Sequence, residues 1–511
     1  MDIRKWLELQ NGSDIRGIAT EGVPGEKVNL APWIIHAIAR SFVNWLATKT
    51  NKPVRTLKIA VGRDSRISGP SLMESFISGI TAMGAQAVDC GIASTPAMYM
   101  ATIFEVTRYD GSAMLTASHL PFNRNGIKFF TCDGGLNKPD ITDILTMASG
   151  SNEPLAMSGT VTSFELIDTY ADFLVQKIRR DVNHPHHYQE PLTGFHIVVD
   201  AGNGAGGFFA AKVLQPLGAN SLGSQFLDPD GMFPNHVPNP EDETAMEFIQ
   251  KAVLHNKADL GIIFDTDVDR AAAVDHQGKS INRNNLIALI ASIILEEHPG
   301  TTIVTDSITS EGLSHFIERD LKGFHHRFKR GYKNVINESV RLNQEDQPSW
   351  LAIETSGHAA LKENHFLDDG AYLITKILIK AAQLKLKDNS KILNLIANLH
   401  EPLESREFRL KIQLPDFKAM GNTLILDLEK YVATIPGWRL IPDNYEGIRV
   451  SVDESNGKGW FLMRLSLHDP VIPINIESNV KGGVTVMAQK LFVFLKKYQN
   501  LDCSAVEKFL K

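Results

Sequence analysis

The feature that most constrains this chain is an alternation of short β-branched runs with longer amphipathic stretches through its first four hundred residues. Leu57–Gly62, Phe195–Asp200, Leu260–Asp265, Thr302–Asp306 and Trp350–Glu354 read as buried strands. Leu72–Met83, Phe164–Arg179 and Gly206–Leu217 read as helices between them. That order predicts α/β units with largely buried strands. Near residue 402 the pattern changes. Phe408–Ile412, Ile448–Val452 and Trp460–Arg464 alternate in strand fashion, with helices expected around Asn422–Thr434 and Val484–Tyr498, so a smaller α+β domain should close the chain. At 511 residues there is too much chain for one core, and three or four domains are expected.

Charge and cysteine usage narrow the function. Lys+Arg is 52 and Asp+Glu 59, a net −7, which argues against a general nucleic-acid binder. Three scattered cysteines, Cys90, Cys132 and Cys503, offer neither a disulfide framework nor a zinc spacing. No run of eighteen apolar residues appears, so no membrane span is expected. The start, Met1–Lys5, lacks the look of a secretory or transit peptide. A cytoplasmic location is expected, with an organelle such as the plastid left open for a trimmed transit peptide.

Three separated loops carry the chemistry. Thr116-Ala117-Ser118-His119-Leu120-Pro121 follows an apolar run and leads to Asn125-Gly126-Ile127-Lys128. A serine so placed can carry a phosphoryl group, while the histidine and lysine neutralise or relay charge; the plainer reading is a surface turn with an incidental Ser-His pair. Asp265-Thr266-Asp267-Val268-Asp269-Arg270 ends a strand with three carboxylates that can converge on one hard cation such as Mg²⁺. Without a cation their mutual repulsion is costly. Glu354-Thr355-Ser356-Gly357-His358 follows another strand, with Asp368-Asp369-Gly370 downstream. Its carboxylate and hydroxyl, two residues apart, can bind vicinal sugar hydroxyls. His358 is open between proton transfer and a structural part.

In this order the loops resemble the phosphoserine, metal and sugar loops of the α-D-phosphohexomutases, the phosphoglucomutase/phosphomannomutase group. Gly12–Gly17, Gly62–Gly69, Gly91–Pro96, Asp228–Gly231, Pro238–Pro240 and Gly331–Lys333 also fall in family order. The charges of Arg63-Asp64-Ser65-Arg66 are read as a lock on their own turn. The resemblance implies four domains around a central cleft: 1–162 with the phosphoserine loop, 163–279 with the metal loop, 280–401 with the sugar loop, and 402–511 with a phosphate loop. The first three would be related α/β units with mixed sheets. It implies transfer of phosphate between O1 and O6 of a hexose phosphate, through a phosphoserine and a bisphosphate. Catalytic roles then fall to Ser118, His119, Lys128, Arg16, Arg270 and His358, and metal ligation to Ser118, Asp265, Asp267 and Asp269. Glu354 and Ser356 would hold the sugar, and Arg464 and Ser466 its far phosphate. One Mg²⁺ per chain and a hexose 1,6-bisphosphate are the implied cofactors, a small phosphosugar the partner, and a monomer or homodimer the assembly; nucleic acid and membrane are not expected partners.

Three positions depart from the family pattern, and the last of them bears on substrate and rate. Thr266 stands where the family has glycine, and is expected to restrict the turn. Ile353 also replaces a common glycine. Arg464-Leu465-Ser466-Leu467-His468-Asp469-Pro470 lacks the Gly-Thr pair of the family's phosphate loop, so Arg464 and Ser466 would act without a glycine nest, with His468 or Lys481 as further candidates. A Mg²⁺-dependent phosphatase, and a weakly active or non-catalytic phosphosugar binder, are therefore the alternative readings. Two decoys are set aside. Gly202–Gly207 fits a dinucleotide fingerprint but stands alone. His184, His186 and His187 lie in a polar stretch broken by Pro185, where a solvated loop is expected rather than a metal site.

Overall fold

The computed structural model describes residues 2–150, 158–466 and 469–511. The chain divides into two compact units, Met1–Ile293 with Ser356–Leu395, and Ile294–Thr355 with Ile396–Lys511.

The first unit begins with an eight-stranded mixed sheet. Lys58–Arg63 lies at its centre, parallel to Gln86–Ile92 on one side and Gly111–Leu115 on the other. Arg124–Thr131 and then Asp14–Ile18 continue it antiparallel. Helices Pro32–Thr50, Gly69–Ala82 and Lys138–Ser149 supply the apolar cover. Ile35, Phe42, Leu46, Ile59, Val61, Phe76, Leu115 and Phe129 form a core with exposures at or near zero. Each fully buried side chain of this size contributes about 1.5–3 kcal/mol, so the strand ends beside it are firmly placed.

A second, four-stranded sheet runs Ile197–Asp200, Leu260–Phe264, Ala271–Asp275, Ser280–Ile281, the first pair parallel and the rest antiparallel. Val198, Ile263 and Val274 pack on Ile249 and Val253 of helix Glu243–Asn256. The helix expected over Gly206–Leu217 is shorter, a π-helical turn Phe209–Leu214 closed by a tight 3₁₀ turn Gln215–Leu217. Pro216 denies the continuing helix a backbone donor and Gly218 takes the left-handed conformation that ends it. The glycine-rich turn before it serves packing. A Cβ on Gly204 would stand 2.6 Å from the Thr266 carbonyl oxygen. Ala205 N–H donates to that same oxygen at 2.8 Å. The first unit ends with a hairpin, Ala359–Leu361 against Leu367–Asp368, and helix Gly370–Lys387.

In the second unit Thr302–Asp306 runs parallel to both Phe324–Phe328 and Ser349–Ile353. A five-stranded antiparallel sheet follows in the order Glu404–Lys411, Val471–Ser478, Gly459–Met463, Ile448–Val452, Trp438–Leu440. Phe417–Val432 and Gly483–Leu495 cover its apolar face, close to where sequence placed helices. Leu424, Leu428, Met487 and Leu491 meet Phe461, Ile474 and Ile476 there. This is the α+β domain expected of the carboxyl end.

Candidate active site

Two loops distant in sequence meet in the first unit. Ser118 follows strand Gly111–Leu115, and Asp265–Arg270 joins Leu260–Phe264 to Ala271–Asp275. Ser118 Oγ donates to Asp265 Oδ2 at 3.0 Å. The loop is held in shape by Ser118 N–H donating to Thr116 Oγ1 at 2.9 Å. Ser118 itself adopts a left-handed φ of 50°, which a non-glycine residue takes only at a cost and often at functional sites.

The three carboxylates converge as their spacing suggested. Asp265, Asp267 and Asp269 are buried, and one oxygen of each lies within 4.8 Å of the others. Lys128 Nζ sits 3.1 Å from Asp267 Oδ2 and also pairs with Asp269. Thr95 Oγ1 donates to Asp267 Oδ2 at 2.5 Å, and Thr95 N–H to the Asp267 carbonyl at 2.8 Å. Asp267 Oδ1 and Asp269 Oδ1 are buried without a hydrogen-bond partner. One lysine thus faces two carboxylates with oxygens to spare, the donor set of a hard divalent cation. Burial and the two neighbouring aspartates push the Asp265 carboxyl well above the usual range. Burial works the same way on Asp269, but Lys128, His358 and Arg270 hold it well below.

The restriction expected at Thr266 falls elsewhere. Thr266 is not among the residues at positive φ; Val268 is, at 68°, and its carbonyl accepts from Gly370 N–H at 3.0 Å. The backbone of Thr266 can lie so close to Gly204 because that glycine has no side chain. Its own Oγ1 is buried without a partner.

Arg270 and the two histidines complete the group. Arg270 Nε donates to Asp265 Oδ2 at 3.2 Å, Nη1 to Asn239 Oδ1 at 3.0 Å and Nη2 to His119 Nδ1 at 2.6 Å. Ser118 Oγ lies 3.3 Å from both Arg270 Nη2 and His119 Nδ1. Burial and then Arg270 push His119 down to about 3, so it is neutral and Nδ1 accepts. His358 is the opposite case. Burial lowers it, but Asp368, paired with its Nδ1, and Asp269, 4.0 Å away, raise it to about 9. Arg16 donates to the Thr116 carbonyl and, through Nη2, to Asp14 Oδ2 at 2.8 Å. Ser118, His119, Lys128, Arg16, Arg270, His358 and the three aspartates are all in this unit.

The residues expected to bind substrate are distributed differently. Glu354 lies in the second unit, where Oε1 accepts from Gly331 N–H at 2.6 Å. Beside it Thr355 Oγ1 donates to Asp306 Oδ2 at 2.7 Å. Ser356 opens the return segment to the first unit, its Oγ buried and without a partner. Arg464 is buried in the second unit, Nη1 3.7 Å from Glu446 Oε1. Glu446 Oε2 accepts from Ser307 Oγ at 2.6 Å and Arg330 N–H at 3.1 Å. Ser466 Oγ accepts from Asp469 N–H at 3.3 Å. Leu467 and His468 lie outside the described residues.

Sequence reasoning missed Thr95, Thr116 and Asn239 as partners of the site, and Glu446 as partner of Arg464. Thr95 and Asn239 stand in segments, Gly91–Pro96 and Pro238–Pro240, that fall in family order without pointing to a role. Their roles depend on contacts across 172 and 31 residues, which spacing does not reveal.

Comparison with known proteins places the chain as a whole. Residues 8–153, 168–278 and 282–399 match, in order, domains I, II and III of the phosphoglucomutase/phosphomannomutase alpha/beta/alpha series. A phosphomannomutase/phosphoglucomutase of Pseudomonas putida is 29% identical over 91% of this chain and 90% of its own. A phosphoglucomutase of Neisseria gonorrhoeae is 29% identical over 84% and 86%. The crystal structure of a phosphoglucomutase/phosphomannomutase family protein from Burkholderia thailandensis superposes with a TM-score of 0.76 at 25% identity, over 95% of this chain and 96% of that one. Three consecutive domain matches, relatives aligned over most of their length and the Ser118–Asp265 pairing agree: this chain belongs to the phosphoglucomutase/phosphomannomutase family.

Proposed function

We propose that this protein is a phosphohexomutase, an isomerase that moves phosphate between O1 and O6 of a glucose- or mannose-type hexose phosphate with Ser118 as the carrier. The observation that carries the reading is Ser118 Oγ at 3.0 Å from Asp265 Oδ2, at the edge of three buried carboxylates. In the working enzyme Ser118 bears the phosphoryl group. The P–Oγ bond breaks as a sugar hydroxyl oxygen bonds to phosphorus; the hydroxyl proton departs and Oγ recovers one. The resulting bisphosphate turns over, and its other phosphate returns to Ser118.

Such a transfer needs positioning and charge stabilisation more than covalent help. Arg270, reaching both Asp265 and Ser118 Oγ, and Lys128 supply fixed positive charge. The two histidines have different parts. His358, held charged at neutral pH, can give a proton; His119, held neutral with Nδ1 accepting from Arg270, is a poor base and serves to orient Arg270 beside Ser118 Oγ. Asp265, Asp267 and Asp269, with the Ser118 oxygen, would hold Mg²⁺. The ion, when bound, neutralises charge on the transferring phosphoryl group. Glu354 and Ser356 are assigned to the sugar hydroxyls, and Arg464 with Ser466 to the far phosphate.

The test is incubation with glucose 1-phosphate or mannose 1-phosphate, Mg²⁺ and a trace of the matching 1,6-bisphosphate. Formation of the 6-phosphate is expected. Release of inorganic phosphate without isomerisation, or no turnover across a panel including glucosamine phosphate, contradicts the reading.

A further inference from the structure

Arg66 has no part in the chemistry above, yet its guanidinium is fully buried beneath the serine loop. Nη1 donates to the carbonyls of Pro121 at 2.8 Å and Arg124 at 2.9 Å. Nη2 donates to the carbonyl of Leu120 at 2.7 Å and to that of Ser118. All four acceptors belong to the segment that carries the nucleophile. The lock read from the sequence therefore extends beyond its own turn to a loop more than fifty residues away.

The arginine is itself held from three sides. Asp64 Oδ1 accepts from Arg66 N–H at 2.9 Å, while Asp64 Oδ2 faces its Nε at 3.3 Å. Asp64 N–H donates to the Leu115 carbonyl at 3.1 Å, tying this turn to the strand that leads into the loop. The Phe233 ring covers the guanidinium, 5.3 Å from centroid to Cζ. A Cβ on Gly231 would stand 2.4 Å from Ile67 N and 2.5 Å from Ser65 O, so the segment before Phe233 presses on the turn.

The demand on this clamp follows from Ser118. A serine at φ 50° persists only where its surroundings over-determine it. Arginine presents five donors in a rigid plane, whereas lysine offers three on a flexible stem and cannot span the same four carbonyls. We propose that Arg66 is a positioning residue for the nucleophile, fixing Ser118 Oγ where it can give and then receive a phosphoryl group. The proposal rests on the phosphoserine reading of Ser118. Between the two transfers the bisphosphate must find the same oxygen in the same place. A loosened loop lets the intermediate escape before the second transfer.

Arg66→Lys, Phe233→Ala and Ser118→Ala, compared with wild type, test this. Each is checked by circular dichroism, then assayed for kcat, KM and dependence on added hexose 1,6-bisphosphate. For Arg66→Lys, kcat should fall about 100-fold, the effect of a displacement near 1 Å, with KM within about twofold. Added bisphosphate should recover part of the loss, which a merely less stable protein would not show. If Arg66→Lys does not fold, Phe233→Ala carries the test, with kcat down about tenfold and KM unchanged. Wild-type kcat in the folded variant, a loss confined to KM, or no response to bisphosphate overturns the proposal while an inactive Ser118→Ala leaves the nucleophile standing. Turnover by Ser118→Ala overturns both.

Discussion

Lys128 is the residue on which the acidic loop most depends in the metal-free protein. Its ammonium faces Asp267 and Asp269, all three side chains nearly without solvent. Removing one partner of such a group leaves charge buried and uncompensated, at about 3–5 kcal/mol. Lys128→Met should therefore lower the melting temperature markedly in EDTA, and Mg²⁺ should restore more of it than in wild type. Equal melting temperatures in EDTA would mean that the carboxylates are not charged together. Glu477 offers a separate test, far in sequence from the acidic loop. Burial pushes it up to about 7 from 4.5, against the pull of Trp460 Nε1 and Arg449. A folded-state pKa above the unfolded one stabilises fully below pH ~4.5, and the gain is lost as pH rises through about 7. The swing is about 3 kcal/mol. Denaturant unfolding of wild type should lose more stability across that window than unfolding of Glu477→Gln, and equal slopes would contradict the raised carboxyl. The sequence revealed the three aspartates and Lys128 because their types and spacing carry chemistry. Glu477 was invisible in it, since its environment is made by Trp460 and Arg449 across the sheet.

Among elements, the glycine turn 202–207 shows what packing adds to pattern. Its spacing imitates a nucleotide fingerprint, but the missing side chain at Gly204 makes room for the backbone of Thr266. Gly204→Ala would put a methyl 2.6 Å from the Thr266 oxygen, backbone that cannot turn aside. Overpacking of this kind costs about 1–3 kcal/mol. The variant should melt lower and bind Mg²⁺ more weakly, as read by titration with Mn²⁺ as a paramagnetic probe; unchanged metal affinity would separate the turn from the acidic loop. Strands were legible because buried β-branched runs end in turns, as at Leu260–Phe264 and Thr302–Asp306. The helix after Gly206 was legible only in part, because Pro216 and Gly218 break a pattern that hydrophobic spacing alone would have continued. Positive φ at Val268 rather than Thr266 was not legible, since valine gives no local signal for that conformation.

For the whole molecule, the α/β order of three segments and the change near residue 402 announced the architecture. The meeting of Ser118 with Asp265, 147 residues apart, was foreseeable only through resemblance to a family. The central claim is that this oxygen carries the phosphate. The most direct measurement is peptide mass spectrometry of the protein after incubation with hexose 1,6-bisphosphate and Mg²⁺. One phosphate on the peptide containing Ser118, lost on addition of a large excess of hexose monophosphate and absent in Ser118→Ala, is the predicted result. Phosphate on another residue, or none in an enzyme that turns over, contradicts the account.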